Sequence, residues 1–128
     1  MLGKHLDAAP HSRYVATENV SLCRLDDIAS KYLTPDSRVF LKIDTQGYES
    51  QVLDGASVLL DRLVGVQLEL SLVPLYAGQP LCDQLIRRLF DAGFAMKTLW
   101  PGFRDRATGE LLQFDAMFFR EQEVDVSP

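Results

Sequence analysis

Asp44, Gln46, Gly47 and Glu49 stand close together in the run Leu41-Lys42-Ile43-Asp44-Thr45-Gln46-Gly47-Tyr48-Glu49. The stretch before them, Arg38 to Asp44, is rich in Val, Phe, Leu and Ile and reads as a buried strand that Lys42 interrupts. Asp44 closes that strand, Gln46 and Gly47 shape the turn, and Glu49 follows near a helix start. Polar groups at the carboxyl end of a strand in an open α/β sheet commonly bind a ligand in the crevice there. The chemistry is therefore that of two carboxylates and an amide at a strand end. One usual companion is missing. The eight glycines contain no Gly-x-Gly, so the glycine-rich loop that cradles nucleotide phosphates is absent.

Those residues need a scaffold, and the rest of the chain reads as alternating elements. Residues 1–13, with Pro10, read as a loose lead-in. Tyr14 to Leu22 reads as a short strand, supported by Tyr14, Val15, Val20 and Leu22. Leu25, Ile28, Ala29 and Leu33 fall at helical spacing, with Asp26 and Asp27 favouring a helix N-terminus. After the turn Thr34-Pro35-Asp36-Ser37 and the strand Arg38–Asp44, the stripe Val52, Leu53, Ala56, Leu59, Leu60 and Leu63 predicts a helix over 51–63. Gly55 inside it costs about 1 kcal/mol against alanine, which a close packing contact would explain.

Val64 to Leu72 alternates: Val64, Val66, Leu68 and Leu70 face one way, Gly65, Gln67, Glu69 and Ser71 the other. Pro80 opens a further helix with Leu81, Cys82, Leu85, Ile86, Leu89 and Phe90 on one face, and Gly93 caps it. Phe94–Leu99 and Leu111–Arg120 read as an antiparallel hairpin around a loop with a Thr108-Gly109 turn. The acidic tail, residues 121–128, reads as frayed. Strands alternating with helices imply a mostly parallel sheet with right-handed crossovers, closed here by one antiparallel strand.

Composition narrows the class. A chain of 128 residues with 47% apolar and 24% charged residues is one globular domain. A net charge of −5 and a pI near 4.9 argue against a nucleic-acid partner. Cys23 and Cys82 lack ligand spacing and read as buried thiols in a reducing compartment. No apolar run reaches the ~20 residues of a membrane span, and Met1 to His11 has no apolar signal segment, so the expected location is the cytoplasm.

Several of these runs together resemble the FkbM family of methyltransferases. They are Leu25-Asp26-Asp27-Ile28, the Leu41–Glu49 run, Val52-Leu53 and Gly55-Ala56. The strand ending in Glu69 and Ser71 before Leu75-Tyr76 agrees, as does Leu112-Gln113-Phe114-Asp115-Ala116 opening the last strand. The likeness runs from about Ser21 to Arg120, and Lys-Ile-Asp-x-Gln-Gly-x-Glu is its most specific part. It implies a partial class I methyltransferase (Rossmann-like) α/β fold with helices on the faces of the sheet. It also implies S-adenosylmethionine as cofactor and a hydroxyl of a small molecule or sugar as acceptor.

The same resemblance places a glycine-rich loop and a ribose-binding acid upstream of the matched region, where only residues 1–20 stand. The expected organisation is a lead-in over 1–20, the C-terminal half of a methyltransferase-like domain over 21–120, and the tail. The alternative is a non-catalytic half-domain that self-associates or binds a partner. In that arrangement the strand over 38–44 becomes a sheet edge, and exposed edges pair with other chains. Either a second copy pairs with it, or the Tyr14–Leu22 segment covers it.

The resemblance also suggests roles. Asp44 contacts the cofactor or orients the acceptor hydroxyl; the plainer reading is a turn aspartate bonded to nearby N–H groups. Gln46 and Gly47 join it as cofactor-side residues. Glu49 removes a proton or binds acceptor, or is simply favoured by its helix dipole. Asp44 and Glu49 lack a third ligand, so no metal site is read. Glu69 and Tyr76 are the acceptor-side candidates. Lys42 is read as the partner of Glu69 on the next strand, and Asp115 as a paired structural carboxylate. His5 and His11 read as solvated, and Trp100-Pro101-Gly102-Phe103 as an exposed apolar loop bordering an acceptor pocket or a subunit contact.

Overall fold

The alternating stretch forms the strand Leu63–Ser71 (β2), with Val66, Leu68 and Leu70 turned into the core. The computed structural model describes residues 1–121, so the tail read as frayed lies outside the described residues beyond Glu121. On one side of β2 runs Val39–Ile43 (β1), parallel to it. On the other runs Gln113–Arg120 (β4), antiparallel, and the strand Phe94–Pro101 (β3) flanks β4, again antiparallel. The sheet order is β1-β2-β4-β3. The hairpin read at the end of the chain forms, and it inserts its second strand between β2 and β3.

Among the described residues four α-helices accompany the sheet: Gly3–Ala8 (α1), Leu25–Ala29 (α2), Glu49–Gly55 (α3) and Cys82–Asp91 (α4). Leu25, Leu53, Leu85 and Leu89 of α2, α3 and α4 pack against Ile43, Val66, Leu68 and Phe118. Those strand residues share one sheet face. Helices on both faces were expected, and among the described residues the second face carries none. Chain handedness explains the difference. β1, β2 and β3 point the same way and advance in one direction across the sheet, so two right-handed crossovers place α3 and α4 on the same side. The other face shows Phe40, Lys42, Gly65, Gln67, Met117 and Phe119. Phe40 lies over Gly65, where a Cβ would meet its ring at 2.9 Å, and reaches Phe119 with ring centroids 5.7 Å apart.

The helix expected over 51–63 is two pieces. α3 ends at Gly55, and a 3-10 turn, Leu59–Arg62, follows. Asp26 causes the break. Its Oδ2 accepts the Val58 N–H at 3.1 Å and its Oδ1 the Leu59 N–H at 2.8 Å. Amides so held are withdrawn from a continuing helix and start a new turn instead. Gly55 is thus terminal rather than interior, packed beside Leu25 N at an ordinary distance, and its helix cost is small.

Three further expectations change. Tyr14–Leu22 forms no strand: its side chains Tyr14, Val15, Val20 and Leu22 are exposed, and no backbone hydrogen bond ties it to β1. The lead-in before it is not loose, since the Leu2 N–H donates to Leu75 O at 2.7 Å and Ala8 packs with Leu75, Tyr76 and Leu112 in a second small core. Cys23 is exposed rather than buried. Among the described residues no helix is long and apolar enough to cross a membrane.

Candidate active site at the strand ends

β1 and β2 are parallel, so their carboxyl ends open together. Ile43 pairs with Leu68, which brings Asp44 and Glu69 out at one level, and Glu69 stands opposite Asp115 of β4. Tyr76, shortly after β2, folds back onto the loop that follows β1. The fold therefore gathers Asp44, Gln46, Gly47, Glu49, Glu69 and Tyr76 at one end of the sheet.

The loop is shaped by two left-handed residues, Gln46 (φ 55°) and Gly47 (φ 100°), and by Glu49. Glu49 is 1% exposed. Its Oε1 accepts from Thr45 N (3.3 Å), Thr45 Oγ1 (3.2 Å) and Gly47 N (3.1 Å). Its Oε2 is buried without a hydrogen-bond partner. Glu49 thus acts first as the anchor of this loop, its carboxylate satisfying amides of the turn that leads into α3.

Asp44 is exposed at the loop's mouth. It accepts from Gln46 Nε2 at 3.0 Å and pairs with Lys42 at 3.6 Å. The expected Lys42–Glu69 pair does not form, because the strand register sets Lys42 beside Gln67 instead. Gln67 in turn donates to Asp115 at 3.2 Å, which makes Asp115 the paired carboxylate expected of it.

Tyr76 joins two parts of the chain. Its hydroxyl donates to Gln46 Oε1 and meets His5 Nε2 at 3.1 Å. Burial, then the charge of Glu69 and of further neighbours including Glu49 and Asp44, pushes its pKa up to about 12, so it stays a protonated donor. His5 is not solvated as read: it is 7% exposed, between the rings of Tyr76 and Phe103, each 5.3 Å away. Burial and the nearby N-terminal ammonium lower its pKa and favour the neutral ring. Trp100 and Pro101 belong to β3 and Phe103 packs against the second core, so of that stretch only Pro101 and Gly102 are exposed.

Glu69 is the most perturbed acid. Burial first, then the charges of Asp44, Asp115 and Glu49, raise its pKa from 4.5 to about 7, against the opposing hydrogen bond from Gln113. Gln113 Nε2 donates to Glu69 Oε2 at 3.1 Å and to the buried Ser71 Oγ at 3.1 Å. Gln79 Nε2 also donates to Ser71 Oγ, at 2.7 Å, while its Oε1 accepts the Leu75 and Tyr76 N–H groups. His5, Gln79 and Gln113 were not singled out from sequence as site residues. Gln79 in Gly-Gln-Pro and Gln113 at the start of a strand were the available signals; His5 had none.

The donor set fits the cationic half of S-adenosylmethionine. Asp44 and Glu69 complement a sulfonium or ammonium charge, and Gln46 is bonded to Asp44. Its carboxylate has no match in this loop, because the Thr45 and Gly47 amides are held by Glu49 and the open side of Gly47 is filled by Tyr76. Among the described residues no three His, Cys, Asp or Glu side chains gather as a metal site. A cavity of about 640 Å³ lies on the far side of the loop, lined by Leu25, Ile28, Thr45, Tyr48 and Val52 among others; Asp44, Glu69 and Tyr76 do not line it.

Comparison with known proteins adds the family. The model of the methyltransferase FkbM domain matches residues 3–96. No curated protein and no solved structure matches the chain. The match starts earlier than the resemblance read from sequence and takes in α1 and His5; it stops at Met96, short of β4. It covers most of the chain and includes the whole Asp44–Tyr76 site, and on that ground the chain belongs to the FkbM methyltransferase domain family.

Proposed function

We propose that this chain forms the acceptor side of an S-adenosylmethionine-dependent O-methyltransferase, acting on a hydroxyl of a small molecule or sugar. The observation that carries the reading is Glu69, a half-buried carboxyl with a pKa near 7 at the shared end of β1 and β2. A hydroxyl that attacks a methyl group must lose its proton, and a base with a pKa near the working pH accepts it best. Glu49 is unsuited, with one oxygen holding the loop and the other shut away from solvent. Asp44, exposed and paired with Lys42, serves better as a charge partner.

The roles then divide. Glu69 takes the proton and Gln113 holds its Oε2 in place. Tyr76 donates its one proton to Gln46 and meets His5, so it would orient the acceptor by accepting a hydrogen bond from a neighbouring hydroxyl of that molecule. Asp44 and Gln46 would meet the cofactor, while Gly47 shapes the loop. S-adenosylmethionine, when bound, supplies an electrophilic methyl group on a sulfonium.

NMR titration of the chain with S-adenosylmethionine tests the reading. The amides of residues 44–48 and 69–71 should shift, with weak affinity because the site is one-sided. Glu69→Gln should then lower methyl transfer by about a hundredfold or more while the fold is kept. Absence of shifts at both strand ends favours the half-domain without activity. Micromolar affinity would show a complete cofactor site and overturn the one-sided reading.

A further inference from the structure

We infer that the free edge of β1 is an interface for a second copy of this chain, paired antiparallel about a two-fold axis at Leu41. β1 bonds only to β2, so its outer edge is unpaired among the described residues. Unpaired edges of parallel sheets recruit another strand unless something blocks them. Tyr14–Leu22, the segment nearest in sequence, leaves it open. No proline or bulge lies within Val39–Ile43; the register shift against β2 skips Val64 on the other strand.

The residues of this edge are self-complementary. Side chains alternate along a strand, so Phe40 and Lys42 project on the bare face and Val39, Leu41 and Ile43 on the helix-covered face, while Arg38 and Asp44 flank the strand at its two ends. With Leu41 opposite itself, Arg38 lies opposite Asp44 and Phe40 opposite Lys42, each twice by symmetry. Opposite charges meet, and an ammonium meets an aromatic face. The apolar residues meet one another on the covered side, which extends both cores across the axis. The neighbouring registers that keep the faces aligned set Lys42 opposite Arg38 or opposite its own copy, and both repel. Phe40, 41% exposed, gains cover in the pairing that also joins the charges. The product is one sheet of two copies, β1 against β1.

Sedimentation velocity of the full chain over about 1 to 100 μM should show a reversible dimer that weakens with salt. Arg38→Asp and Asp44→Arg should each raise the dissociation constant about tenfold or more, and the double variant should restore it. Circular dichroism confirms that each variant folds. In a Cys23→Ser background, mixed Phe40→Cys and Lys42→Cys chains should form the hetero-disulfide in preference to either homo-disulfide. A monomer at every concentration overturns the proposal, and so does a dimer indifferent to the single swaps or unrestored by the double one.

Discussion

Gly47 lies directly against Tyr76. A Cβ on Gly47 would stand 2.7 Å from Tyr76 Cβ and 3.0 Å from its Cγ, and the backbone there has φ 100°. The glycine is required twice, once for the turn and once for the contact. Gly47→Ala must move Tyr76 or the loop, and should cost about 1–3 kcal/mol of stability. Urea unfolding measures it; an unchanged midpoint would show that the loop adapts without strain. The same variant should loosen the Tyr76–Gln46 bond, visible as altered tyrosine fluorescence.

Glu49→Gln should destabilise the chain by about 1–3 kcal/mol, since it weakens the charge that gathers the Thr45 and Gly47 donors and buries an amide nitrogen with no acceptor. Glu49→Ala should do worse. A stability loss equal to any activity loss marks an anchoring residue. An activity loss at full stability would return Glu49 to the chemistry.

Glu69 should make stability pH-dependent and, as the proposed base, methyl transfer also, in the opposite sense. Its folded pKa is about 7 against an ordinary 4.5, so between those values the folded state holds a proton that the unfolded chain has released. Stability from this group therefore falls as pH rises through that window and is flat above it. Methyl transfer should instead rise with pH and level off above about 7 as the carboxylate forms. Glu69→Gln should flatten the stability slope. Unfolding midpoints taken across the window, together with carbon NMR of the carboxyl, check both.

Asp26→Ala should cost about 1–2 kcal/mol by freeing the Val58 and Leu59 amides. Burial opposes ionisation of Asp26, but those amides, Arg24 and Ser57 outweigh it and hold the pKa below 3.8. Its contribution is complete above that ordinary value and is lost as pH falls through the folded one. Acid unfolding of the variant should therefore lack that component. Identical acid transitions would contradict the assignment.

The strand–turn–helix of Leu41–Glu49 was legible in the sequence because its causes are local. A short apolar run, a turn glycine and a polar helix start act within a few residues. The alternation of β2 and the hairpin of β3 and β4 were legible for the same reason. The helix over 51–63 misled because its apolar stripe is real, while the carboxylate that interrupts it comes from Asp26, far upstream.

The sequence by itself determined the four strands of the sheet, the helix α4, the family and most of the residues that meet at the strand ends. Tertiary structure decided what those residues are. Among the described residues, handedness and strand order put the sheet-packing helices on one face and left the other bare. The register of β1 on β2 parted Lys42 from Glu69, and three neighbouring acids with burial raised the Glu69 pKa. His5 became part of the site only because α1 folds onto the Leu75–Tyr76 turn. Ionisation and burial are sums over neighbours distant in the chain, and no local pattern of residues carries them.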